Sequence, residues 1–243
     1  MSARAVAPQA SLASPDGAAR RPRGRPRKTP AEIDDGNRRR ELLRAAARLF
    51  RSQGYSATST RDIAAAVGMQ SGSPFYHFKS KGALLHAVME EGMRSALERQ
   101  GQALAAARAG EQAAQRSPDA AAGAEACLAV LVRNHFDILL GKGSDFIPVM
   151  LYEARSLNAR QREGIAQLQR EYEAQWLPVL DALAGAGRLR GDVRLARLFI
   201  FGALNWSVQW YDARKRASLD HLTAGALALF LQTPASLVAP GRA

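Results

Sequence analysis

Residues 59–82 read STRDIAAAVGMQSGSPFYHFKSKG, and few folds accommodate them. Ser59 precedes Asp62 by three positions, the spacing of a capping box, so a helix begins here with the serine oxygen facing the N3 amide and the carboxylate reaching back. Ile63, Ala64 and Val67 supply its apolar face. Gly68 ends it, because glycine tolerates the left-handed conformation of a tight turn. A second helix follows at once. Pro74 favours Ser71 as its cap, which places the proline at N3, where its missing amide breaks no internal bond. Upstream, Leu42, Leu43, Ala46, Leu49 and Phe50 recur at helical spacing, in a helix predicted from Asn37 to a stop at Gly54.

Two short helices across a turn of three or four residues, packed on a preceding helix, predict a helix-turn-helix whose second member enters the major groove of DNA. The residues suit that task. Gln70, Ser71, Gly72 and Ser73 are small or hydrogen-bonding groups at a helix N-terminus, and Phe75, Tyr76, His77, Lys79 and Lys81 follow. The competing reading is an ordinary helical corner with a solvated basic surface, and the distribution of charge decides against it. Residues 1–82 hold 16 Lys plus Arg against 6 Asp plus Glu, whereas the remainder holds 18 against 16. A polyanion-binding part joined to a nearly neutral part is the pattern this predicts.

The rest of the chain carries helical periodicity and no sustained alternation, so the fold class is all-α. A long helix after Gly82 is expected to end near Ser117-Pro118, with further helices at 124–140, 145–156, 159–185, 192–212 and 218–232. Pro178 should kink the fourth of these six or end it early. A hydrophobic content of 47% supports a sizeable core. The single cysteine, Cys127, rules out an intrachain disulfide framework and a cysteine-built metal site, and fits a reducing cytoplasm. No apolar run suits export or membrane insertion. His77, His86, His135 and His221 are scattered without metal-ligand or catalytic spacing, so neither an enzyme nor a cofactor is expected. GAGRLRG at 185–191 follows a helix rather than a strand, and reads as a C-cap and turn.

Residues 1–35 lack periodicity and are read as a disordered basic arm. Within it RRPRGRPRK, residues 20–28, centres on Arg25 in a Gly-Arg-Pro core that is slim enough for a narrow minor groove; a solvated phosphate-binding tail explains it equally well. Arg38, Arg39 and Arg40 near a helix start oppose the helix dipole, a local cost that nearby phosphates would reverse.

The segment LLRAAARLFRSQGYSATSTRDIAAAVGMQSGSPFYHFKSKGALLHAV resembles the DNA-binding part of the TetR family of bacterial repressors. The resemblance implies an N-terminal three-helix helix-turn-helix DNA-binding domain, residues 36–82, and a C-terminal helical ligand-binding and dimerisation domain, residues 83–243. It implies that Gln70 to His77 form the recognition helix, that Tyr76, His77 and Lys81 contact the DNA backbone, and that Thr60 and Arg61 flank the groove. The family generally has a tyrosine where this chain has Phe75, so either Tyr76 takes over the phosphate contact or Phe75 packs inward. Ser80 as cap of the fourth helix faces Ala83 at N3, half a capping box, which should loosen that junction.

In LARLFIFGALNWSVQWY, residues 195–211, apolar groups surround the helix, so it should be buried on both sides, one in the core and one against a twin chain. With Leu219, Leu222, Ala226, Leu229 and Phe230 of the last helix it suits the four-helix interface of a homodimer. A dimer presenting two recognition helices about one DNA turn apart, ~34 Å, would engage a palindromic double-stranded operator. A small-molecule effector, by resemblance acyl-CoA-like or another large apolar compound, would bind within the C-terminal part. Phe136, Met150, Tyr172, Trp176, Asn205, Trp206 and Trp210 are its candidate contacts. Asn205 serves equally as a satisfied interface hydrogen bond, and His135 is read as a partly exposed helix residue. The alternative function is an architectural or nonspecific AT-rich DNA binder.

Overall fold

The computed structural model describes residues 30–69, 74–113, 120–215 and 217–232. Among these the regular structure is helical, with no strand. The first helix, α1 (Pro30–Gln53), takes in the last six residues of the stretch expected to be an arm. A proline followed by Glu32, Asp34 and Asp35 is a good helix opening, since its fixed φ suits the first turn and acids there complement the dipole. Leu42, Leu43, Ala46 and Phe50 are buried, and Gly54 ends the helix at φ +83°.

Helix α2 (Thr60–Ala66) carries the expected box. The Asp62 amide donates to Ser59 Oγ at 3.1 Å and the Ser59 amide to Asp62 Oδ2 at 2.8 Å. At its other end the Met69 amide donates to the Ala64 carbonyl and the Gly68 amide to that of Ala65, with Gly68 at φ +65°: a Schellman turn. Helix α3 is described as Pro74–His77, and α4 (Lys81–Ala113) is capped by Ser80, whose Oγ accepts from the Ala83 amide at 3.0 Å with no reciprocal bond.

Helices α5 (Ala120–Leu140) and α6 (Phe146–Glu153), a single 3-10 turn, α7 (Ala159–Ala174), α8 (Leu177–Gly185), α9 (Val193–Trp210) and α10 (Leu219–Phe230) complete the fold. The rod expected over 159–185 breaks before Pro178, which occupies the first turn of α8, where it costs no hydrogen bond. Helix α4 packs on α1, α5, α6 and α7, and α5 on α8, α9 and α10, so one apolar core runs from Leu42 to Ala226. The α7–α8 corner is held by Gln100 of α4. Its amide nitrogen donates to the Tyr172 carbonyl at 2.8 Å, and its oxygen accepts from the buried Trp176 indole at 2.7 Å.

Candidate functional site

The exposed face of the α2–α3 unit is built over a buried anchor. Phe78, just past α3, is buried, and the Arg39 guanidinium lies 5.3 Å above its ring. With Phe78 inside, Tyr76 is turned out and 83% exposed, edge-on to His77 at 5.2 Å between ring centroids. Lys79 and Arg61 are exposed and Thr60 opens α2 half-buried. Arg38 is exposed in a loose 3.4 Å pair with Glu41, and surface pairs of this kind contribute little and exchange readily for phosphate. Among the expected contacts, Arg61, Tyr76 and Lys79 are thus exposed and Thr60 and His77 half-buried on or just past α2 and α3. Arg25 and the Gln70, Ser71, Gly72 and Ser73 segment lie outside the described residues, as does the side chain of Phe75.

Lys81 has partners within the fold that the sequence reading did not foresee. Its ammonium donates to the carbonyls of Tyr55 and Thr58, each at 2.9 Å, and of Ser56 at 3.4 Å, and sits 4.4 Å from the centre of the Tyr55 ring. These bonds hold the ammonium against the loop between α1 and α2. These loop carbonyls lie beyond the end of α1, outside any helical ladder, and the ammonium is the donor they meet.

The same loop is fastened to the C-terminal helices. The Tyr55 amide donates to Glu153 Oε1 at 2.9 Å, at the end of α6. Arg51 bonds the Ser144 carbonyl at 2.9 Å and Asp145 Oδ1 at 3.0 Å, at its beginning. Burial, and then the Glu153 charge, push the Tyr55 phenol above its ordinary pKa. Helix α6 is thus tied to the reading unit at both ends.

Against α6 lies a small, partly open chamber lined by Met93, His135, Ile147, Met150, Tyr172 and Asn205, among others, with a volume of about 40 Å³. That is room for little more than a water molecule. His135 is its polar centre and corrects an expectation, for it is buried rather than partly exposed. Nε2 lies 3.1 Å from Asn205 Oδ1 and Nδ1 2.9 Å from the Tyr172 hydroxyl. The neutral imidazole protonated at Nε2 satisfies both, donating to Asn205 and accepting from Tyr172. Burial lowers the His135 pKa to about 4, against a partly offsetting Asn205 bond, and pushes the Tyr172 phenol well up. Both groups are neutral near pH 7.

Of the residues expected in the pocket, Met150, Tyr172 and Asn205 line this chamber, and Trp176 stacks behind it with ring centroids 5.9 Å from His135 and 4.7 Å from Phe201. The other three do not belong to it. Phe136, one residue and about 100° around α5 from His135, points to a separate apolar hollow beneath α10. Trp210, half-exposed, lines that same hollow, and Trp206 faces outward, 65% exposed. Gln100 went unread in the sequence, since an amide within an alanine-rich helix gives no local sign of its partners.

Trp206 is one of several exposed apolar groups. Helix α9 buries Ile200, Phe201, Leu204 and Ser207, while its Leu198, Phe199 and Trp206 stay exposed, Phe199 by 74%, as does Leu229 of α10. The expectation of burial on both sides is met within this chain on one side alone. Large apolar groups left in water along one helix suit an interaction surface.

Residues 42–88 match the family model for bacterial regulatory proteins of the tetR family, and residues 121–233 that for the tetracyclin repressor-like C-terminal domain. The HTH-type transcriptional repressor KstR2 of Rhodococcus jostii (strain RHA1) is 28% identical over 215 residues, 86% of this chain and 98% of the relative. Among solved structures, superantigen PfiT superposes with a TM-score of 0.62 at 36% identity, covering 81% of this chain and 97% of that one. AibR in complex with isovaleryl coenzyme A and operator DNA superposes with a TM-score of 0.66 at 23% identity, covering 79% and 97%, a likeness of fold. Among the described residues no helix is long and apolar enough to cross a membrane. With a capped helix-turn-helix, a basic exposed end and family models matching both parts, the chain belongs to the TetR family and is a DNA-binding transcriptional regulator.

Proposed function

We propose that this regulator is a cytoplasmic, non-enzymatic repressor that binds a palindromic operator as a homodimer and leaves it when a small-molecule effector fills the chamber around His135. The observation that carries this reading is the double fastening of α6. Its inner residues Ile147, Met150 and Leu151 form a wall of the chamber, while Asp145 and Glu153 at its ends hold Arg51 and the Tyr55 amide. A space of about 40 Å³ is smaller than an effector of ordinary size, so binding enlarges it against α6, and the bonds of Asp145 and Glu153 carry that movement to the reading unit. An effector favouring the displaced arrangement lowers operator affinity by its differential affinity for the two states.

Recognition falls to residues 70–77 in this reading, with Thr60, Arg61, Arg38, Tyr76, His77 and Lys79 on the backbone and the arm around Arg25 adding contacts in a neighbouring groove. The reading head is taken as the part up to residue 82 and the effector and dimer part as the rest. The outward face of α9 and α10 pairs with its twin. A large apolar effector with a polar end, such as an acyl-CoA, suits the chamber's lining and is supported by the ligand of AibR.

Footprinting on genomic fragments identifies the operator, and effector titration of the complex then tests the coupling. Glu153→Ala is expected to retain operator binding and to need about tenfold more effector for release. Unchanged release in that variant sinks the α6 route, and footprints that follow AT content without a palindrome favour an architectural role.

A further inference from the structure

A second cavity, of about 300 Å³, opens between α1, α4 and the loop leading into α6. Three arginines line it, Arg40 and Arg44 from α1 and Arg99 from α4, against one carboxylate, Glu91. Arg99 pairs with Asp137, and Arg40 bonds the neutral Asn37 side chain at 2.6 Å. Arg44 has no ion pair or hydrogen-bond partner among the described residues. An excess of guanidinium groups converging on a cleft is an anion site, and their planar forks suit phosphate oxygens.

The cleft is not isolated. Ala96, Ile138 and Ile147 line both it and the chamber around His135, so the basic and apolar spaces share a wall. The floor is also a tight spot: a methyl group on Gly92 would come within 2.6 Å of Phe146 Cβ, so α4 touches α6 here through bare backbone. Displacing α6 to fill the chamber therefore alters this cleft directly.

We propose that this cleft binds the diphosphate-bearing head of the effector, the basic lining of Arg40, Arg44 and Arg99 taking its charge while its apolar end enters the chamber through the common wall. The inference rests on the effector-responsive reading above and names the ligand class: an apolar acyl group carried on a phosphorylated nucleotide. Because Arg40 and Arg44 belong to the DNA-reading part and Arg99 to the other, the head group bridges the two parts whose relation sets operator affinity.

The test uses the full chain without DNA. Octanoyl-CoA, free CoA and inorganic diphosphate are titrated by calorimetry into the wild type, Arg44→Ala and Arg44→Glu. Arg44 is exposed and makes no ion pair among the described residues, so circular dichroism should show both variants folded. All three probes are expected to bind the wild type, with binding weakened about tenfold or more in Arg44→Ala and further in Arg44→Glu. Tighter binding of octanoyl-CoA than of diphosphate identifies a thioester as the source of the head group, and equal binding identifies a free polyphosphate. Binding of no probe, or binding indifferent to Arg44, overturns the site. The effector reading fails separately: head-group binding that depends on Arg44 with no operator release leaves the site and removes the response, and thioester release unchanged in Arg44→Glu does the reverse.

Discussion

His135 should make this protein lose stability in mild acid, by an amount that follows from its surroundings. The buried imidazole, held neutral between Tyr172 and Asn205, has its pKa lowered from 6.5 to about 4. A group whose folded pKa is depressed leaves stability intact above the unfolded value. Below it the unfolded chain takes up a proton that the folded chain refuses, and stability falls until the folded pKa is reached. Between pH 7 and pH 5 the loss from this group is about 2 kcal/mol, nearing about 3 kcal/mol below pH 4. Urea unfolding at fixed protein concentration at pH 7, 6 and 5 measures it, with His135→Gln as the reference. The variant is less stable at pH 7, having lost two buried hydrogen bonds, but the gap to the wild type should narrow by about 2 kcal/mol by pH 5. A constant gap, or an imidazole resonance that titrates near 6.5 in the folded protein, refutes the reasoning. Because the same imidazole centres the chamber, effector binding should keep it neutral or expose it, and the titration distinguishes the two.

Three further outcomes are expected. Lys81→Ala should destabilise the fold by about 1–3 kcal/mol, since three loop carbonyls lose their donor, while the salt dependence of operator binding in the folded variant stays as in the wild type. Lys79→Ala should do the opposite, leaving the melting temperature within error and reducing the slope of log K against log salt by about one. Trp206→Glu places a charge on the exposed apolar face of α9, and sedimentation should show a monomer with weakened operator binding; a dimer of unchanged stability would mean that the twin docks elsewhere.

The caps and turns were legible because they are local. Ser59 with Asp62, Gly54, Gly68, Ser80 and Pro178 each act on backbone within about one turn of themselves, and each lies where its chemistry requires. The early start of α1 was legible by the same rules, in a proline followed by acids, but its arginine-rich neighbourhood read as a tail. The all-α class and the reading unit followed from such local signals together with helical periodicity.

What a side chain meets across the fold was not local. His135 finds Asn205 70 residues away and Tyr55 finds Glu153 98 residues away, and nothing beside either residue announces the partner. Lys81 is a lysine in a basic segment until the loop after α1 offers it three carbonyls, and Trp206 and Trp210 are apolar residues in an apolar helix until packing decides which side the core takes. The sequence determined by itself where helices begin and end and that one end of the molecule meets a polyanion, since propensity, caps and charge act over short range. Only the tertiary structure decided which groups line the chamber, which cation is spent within the fold and how α6 joins the two parts, because those depend on helices distant in the chain arriving at the same place.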